Sequence, residues 1–208
     1  PLVLDPGLIV IDVDHPTLAS ARIRIGAGYA GAQDQLLFAN TGGMGNISGS
    51  YSAGVLTLTS AGQTATVAEW QAALRTVSYL NTSDAPSTAP RTLTLTVNDG
   101  IADSAARHFG LAVVAVNDAP VLTGSNPLAA VDEDATSPAG TLVSVLIAGH
   151  VGDADSGAKA GIAVTAVDNA NGGWQYSTDG GSSWFALAGA AEASARLLDA
   201  APRGRFAP

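Results

Sequence analysis

Apolar and polar residues alternate at period two in three stretches of the first half of the chain: SARIRI (residues 20–25), GVLTLTS (54–60) and RTLTLTV (91–97). Successive side chains of a strand point to opposite faces of its sheet, so this alternation predicts strands with one buried and one wet face. HFGLAVVAV (108–116) is more continuously apolar and predicts a more deeply buried strand. One stretch departs from period two. Thr66 and Glu69 form a T-x-x-E capping box, and Val67, Trp70, Leu74 and Val77 fall near helical spacing. This predicts one short helix at about 67–75 that crosses between sheets, closes one edge of the core and leads into the strand VSYLN (77–81).

Beyond residue 116 the texture restarts. Asn117 and Asp118 followed by Pro120 stop a strand and set an extended exit, and turn formers then dominate NPLAAVDEDATSPAG. This places one unit at 1–118 and a second at 119–208. Strands are expected in the second at 141–147, 161–167, 173–177, 183–187 and 195–198, too few to close a sandwich, so this unit is expected to be truncated. The two units echo each other weakly: Asp12-Val13-Asp14 and Asp153-Ala154-Asp155 both set D-x-D in a turn before an alternating strand. The fold class expected is all-β, two tandem Ig-like sandwiches with one short helix in the first.

Composition narrows the function. Acids outnumber bases 18 to 9, giving a net charge of −9, so a nucleic-acid partner, which needs clustered Lys and Arg, is not expected. There is no cysteine, hence neither a disulfide framework nor a thiolate metal site. No run of 18 apolar residues is present to span a membrane as a helix. The chain starts at Pro1, its single methionine is Met44 and no signal peptide is visible, as expected of a segment of a longer polypeptide.

The acids are gathered where strands end. Asp12 and Asp14 lie two apart, as do Asp153 and Asp155; Asp132, Glu133 and Asp134 are adjacent; Asp99 sits in VNDG, and Asn117 with Asp118 closes the first unit. Asp and Asn are good turn residues in their own right. Paired and tripled acids exceed what turns need, however, and calcium takes six to eight oxygens from carboxylates and loop carbonyls. Calcium is therefore the cofactor expected.

VNDG…VNDAPVL, with a D-x-D turn before an alternating strand, resembles the cadherin-like, VNDAP-type tandem repeats of large bacterial adhesins and RTX-type secreted proteins. The resemblance covers nearly all of the first unit, and the second is similar to another module of such arrays. It implies Ig-like, cadherin-like sandwiches and calcium at module junctions. It further implies an adhesion or spacing role, and a location outside the cell or on the bacterial surface. The implied ligands are Glu133, Asp153 and Asp155 on the second-unit side, Asn117 and Asp118 in the linker, and Asp12, Asp14 and Asp99 for a preceding junction. A full cadherin linker reads D-x-N-D-N. Here Ala115 and Ala119 replace an acid and an amide, so one or two ions are implied rather than three. The partners implied are neighbouring repeat modules and a glycan or protein on a host or cell surface.

Other motifs carry less. GAGYAG (26–31) satisfies G-x-G-x-x-G, but no helix pattern follows and no acid lies between Asp34 and Glu69, so it predicts a loop rather than a dinucleotide site. His15, His108 and His150 are scattered singly and read as surface or strand-end residues; no G-x-S-x-G elbow exists. Ser177, Asp179, Gly181 and Trp184 match the Asp-box of sialidases, S-x-D-x-G-x-x-W. One copy in a chain too short for a propeller predicts a hairpin in which Asp179 holds the turn, not an active site. Trp174, Tyr176 and Trp184 are expected to pack in the core; exposed, they would form a sugar platform. The expected function is a calcium-rigidified spacer or adhesion module, not an enzyme. The alternatives are a glycan-binding module and an accessory domain of a secreted hydrolase.

Overall fold

The computed structural model describes residues 1–208. Its contacts divide the chain into Pro1–Val116 and Asn117–Pro208, so Asn117 and Asp118 fall with the second unit. The chain is all-β, with several antiparallel sheets and two short helices.

In the first unit, β1 is Leu2–Val3, β2 Ser20–Ile25, β3 Asp34–Leu37, β4 Ile47–Ser52 and β5 Val55–Ser60. Helix α1 is Val67–Leu74, and β6 Ser78–Asn81, β7 Arg91–Asn98 and β8 Arg107–Leu111 follow. A five-stranded sheet runs β4-β5-β2-β7-β8 and a three-stranded sheet β1-β6-β3. The period-two segments lie centrally: Ile23 of β2 stands opposite Leu56 of β5 and Leu95 of β7, and all three are buried. Each such side chain withdrawn from water contributes roughly 1.5–3 kcal/mol.

Helix α1 starts where the capping box places it. Thr66 accepts from the Glu69 backbone N–H at 3.3 Å while Glu69 accepts from the Thr66 N–H at 2.7 Å. The helix connects β5 of the larger sheet to β6 of the smaller and buries Trp70, Ala73 and Leu74 in their common core. No helix follows GAGYAG, which is a loop leading into β3. Gly28 has φ +74°, and a Cβ there would lie 2.1 Å from the Pro90 carbonyl oxygen, so close backbone approach explains this glycine.

Three expectations change. The strand at 108–116 is shorter and wetter than its composition suggests: β8 is an edge strand whose last paired residue is Leu111, and Val114 and Val116 are exposed. DQLL and ISGSYS, unremarked in the sequence, are strands β3 and β4. In the second unit, residues 141–147 form a two-residue strand and a helical turn. Val143 and Ile147, four apart, are buried there, and Asn126 Nδ2 binds the carbonyls of Val145 and Ala148 at 2.8 and 3.0 Å. A short apolar run does not distinguish period two from period 3.6, and the carbonyl cap favours the turn.

The second unit comprises β9 (Val121–Leu122), β10 (Thr141–Leu142), α2 (Val143–Leu146), β11 (Val151–Gly152), β12 (Gly161–Val164), β13 (Gly173–Ser177), β14 (Phe185–Ala186), β15 (Arg196–Asp199) and β16 (Arg203–Ala207). Its sheets are β10-β16-β13-β14, β11-β9 and β12-β15. Its core is small: Val143, Ile147, Tyr176, Leu187 and Leu198.

Candidate metal centre

Asp12 opens a turn by accepting the backbone N–H groups of Asp14 (3.0 Å) and His15 (2.8 Å) on Oδ1. Asp99, in the loop between β7 and β8, accepts those of Ile101 and Ala102, each at 2.7 Å, on its own Oδ1. The Ala102 and Ile101 N–H groups hold the Asp99 carboxyl below the usual carboxylate range. Oδ2 of each acid is left without a protein donor. The two loops meet at His15, whose Nδ1 lies 3.4 Å from Asp99 Oδ2 and 4.0 Å from Asp12 Oδ1. Asp12, His15 and Asp99 each offer a ligand atom within 4.8 Å of the others, the only such set of three in the chain.

The residues after His15 fix this geometry. Pro16 O accepts from Val67 N at 3.0 Å, Leu18 N donates to Ala65 O at 3.2 Å, and Leu18 O accepts from Trp70 Nε1 at 3.0 Å. The start of α1 thereby clamps the chain between the D-x-D turn and β2. Of the acids expected at this end, Asp12 and Asp99 come together while the Asp14 carboxylate stays outside the set. His15, read from the sequence as an ordinary surface residue, is the member that was missed. Its one local signal is its place three residues after Asp12; its approach to Asp99 is a tertiary fact.

The second-unit acids organise backbone instead. Asp155 Oδ2 accepts from Asp118 N at 2.7 Å, Asp153 Oδ1 accepts from Asp155 N at 2.9 Å, and Asn117 Nδ2 donates to Asp118 O at 2.6 Å. Asp153 and Asp155 line a cleft of about 310 Å³ with Pro120, Val151 and Lys159. Glu133 lies in an exposed turn, enters no ion pair and does not complete a set of three with them.

The Asp-box is a hydrogen-bonded turn. Asp179 Oδ1 accepts from Ser177 Oγ at 2.7 Å and from Ser183 N at 2.9 Å, and Oδ2 accepts from Ser183 Oγ. The Ser183 hydroxyl and N–H, then the Ser177 hydroxyl, hold this carboxyl far below its usual range. Gly180 and Gly181 adopt φ +77° and +103°, which the turn requires. The aromatic residues have partners: Arg205 lies 3.9 Å over the Trp184 ring, Trp174 meets Phe206 edge-on at 5.3 Å, and Tyr176 is buried. Asp179→Ala should lower the second unit's melting temperature by a few degrees, because three acceptor contacts go at once. Thermal unfolding followed by tryptophan fluorescence measures this, and an unchanged midpoint would show that the box holds nothing.

Buried chemistry occurs elsewhere in the first unit, where Asp34 and Arg91 form a two-pronged ion pair inside the protein. Arg91 Nε and Nη2 each lie 3.1 Å from a different Asp34 oxygen. Tyr79 Oη and Asn81 Nδ2 also donate to Asp34 Oδ1, Ala30 N to Oδ2, and Arg91 Nη1 to the carbonyls of Ser87 and Ala89. Burial pushes the Asp34 carboxyl up, but the donors outweigh it, Arg91 foremost, and hold it below its usual value. With both carboxylate oxygens engaged and both side chains buried, this network is structural.

The chain matches no protein-family model, no curated protein and no solved structure.

Proposed function

We propose that this chain is a cation-stiffened β-sandwich spacer or adhesion module of a large bacterial surface or secreted repeat protein. The VNDAP-type sequence resemblance supports this reading. The observation that carries it is the arrangement of the loop acids: Asp12, Asp99, Asp153 and Asp155 each anchor backbone N–H groups within a loop. Carboxylates held in this way are positioned before a cation arrives, so binding need not order them. In a chain of net charge −9 they also repel one another until a cation neutralises them. Calcium is the ion for oxygen-only loops such as those of Asp118, Asp153 and Asp155.

Calcium in excess should raise the melting temperature and chelator should reverse the rise. At one hundred times the dissociation constant, linkage gives about 2.7 kcal/mol, and each kcal/mol moves a domain of this size by about 4–8 °C. A calorimetric scan in calcium and then in chelator decides it: equal midpoints would remove calcium from the function. Asp153→Asn with Asp155→Asn should abolish the second unit's share of the shift.

A further inference from the structure

We propose that Asp12, His15 and Asp99 form a site for a borderline transition dication, zinc(II) above all, rather than for calcium. The inference rests on reading the loop acids as cation ligands and narrows that reading at this one place.

The donor set is the first reason. Calcium is bound by oxygen, six to eight atoms of it, whereas this set presents two carboxylates and one imidazole. Imidazole nitrogen with carboxylate oxygen suits zinc, which accepts three protein ligands and a water in a tetrahedron. Separation is the second. Bonds of about 2.0–2.1 Å to a tetrahedral ion place neighbouring ligand atoms about 3.3 Å apart, and His15 Nδ1 stands 3.4 Å from Asp99 Oδ2. Although near both acids, Nδ1 makes no hydrogen bond with either, and Asp99 Oδ2 receives none. Asp12 approaches Nδ1 through Oδ1 at 4.0 Å and keeps its Oδ2 free of donors, so the three residues bring a ligand atom each within 4.8 Å of the others.

Support of the ligands is the third reason. Each aspartate has Oδ1 fastened by two backbone N–H groups, so Oδ2 is presented in a fixed direction. Ligands oriented by such outer hydrogen bonds bind metal more tightly. The chain beyond His15 is tied to α1 at Pro16 and Leu18, so the imidazole sits on a rigid element. With side-chain exposures of 41% for His15, 17% for Asp12 and 19% for Asp99, the site is open enough for an ion and its water to reach.

Metal-free protein titrated with zinc chloride in a calorimeter, with the histidine ring protons followed by NMR, tests the assignment. One equivalent of zinc should bind and shift one of three histidine signals, the one that is absent in His15→Gln. Calcium should leave that signal in place. His15→Gln, altering a partly exposed side chain, and Asp99→Asn, which retains Oδ1 for the turn, should each weaken zinc binding by about 100-fold or more. Zinc that moves no histidine signal, or that binds His15→Gln as it binds the parent protein, overturns the site. Calcium melting of the same proteins separates the two readings. Stabilisation by calcium alone leaves the module's proposed role standing and removes the zinc site; a zinc response alone does the reverse.

Discussion

Asp34→Asn should destabilise the first unit by about 3–5 kcal/mol, because it leaves the Arg91 guanidinium buried without its counter-charge. Arg91 and Asp34 are both at most 1% exposed, so water cannot replace the lost partner. Urea denaturation should show the change as a lower midpoint for the transition of residues 1–116, and a loss below 1 kcal/mol would contradict the ion-pair reading. The same network sets a pH dependence. The folded Asp34 carboxyl titrates below its ordinary value of about 3.9, so it takes up its proton more readily in the unfolded chain. Its stabilisation is therefore complete above that value and is lost as pH falls through the lower, folded value. In acid the parent protein should converge on the stability of Asp34→Asn, while at neutral pH the two should differ most.

Trp70→Ala should cost about 3–5 kcal/mol, the usual range for emptying an aromatic site in a packed core. Trp70 is fully buried on α1 and donates to Leu18 O at 3.0 Å, so the substitution leaves a cavity and an orphaned carbonyl together. Trp70→Phe separates the two: it keeps most of the volume, loses the donor, and should cost about 1–3 kcal/mol. Denaturation midpoints of the two variants check the order. Because Leu18 follows the His15 turn, both should also weaken cation binding at Asp12, His15 and Asp99 without altering a ligand. Undiminished binding in Trp70→Ala would show that the clamp does not position the site.

What the sequence revealed follows from the range of the forces involved. The strands with period two and the capped helix were readable because their determinants lie within a few residues of each other, as Thr66 and Glu69 do. Strand β3 was not, since DQLL lies beside Ser78–Asn81 only through tertiary pairing, and its aspartate reads as a turn residue until Arg91 is seen beside it. The second unit was hardest. Short apolar runs with little core behind them took whichever local hydrogen bonds were offered, as Asn126 offers to α2. At the candidate site the two acids were legible, Asp12 in its D-x-D turn and Asp99 in VNDG, while the convergence of His15 and Asp99 across more than eighty residues was not. Glu133 and Asp14 mark the opposite error, in which adjacency along the chain does not become adjacency in space.

The two units differ in how much apolar matter they enclose: eighteen buried residues form the core of the first and five that of the second. Pulled from its ends, such a chain would not lengthen evenly. Resistance to force follows the rate of unfolding, and the thinly filled unit would yield first, releasing up to about 3.3–3.6 Å for each residue freed. The first unit would meanwhile hold its shape, with its sheets pinned by Asp34 and Arg91. The second would thus turn a pull into length while it unfolds, and so limit the tension that the first has to bear.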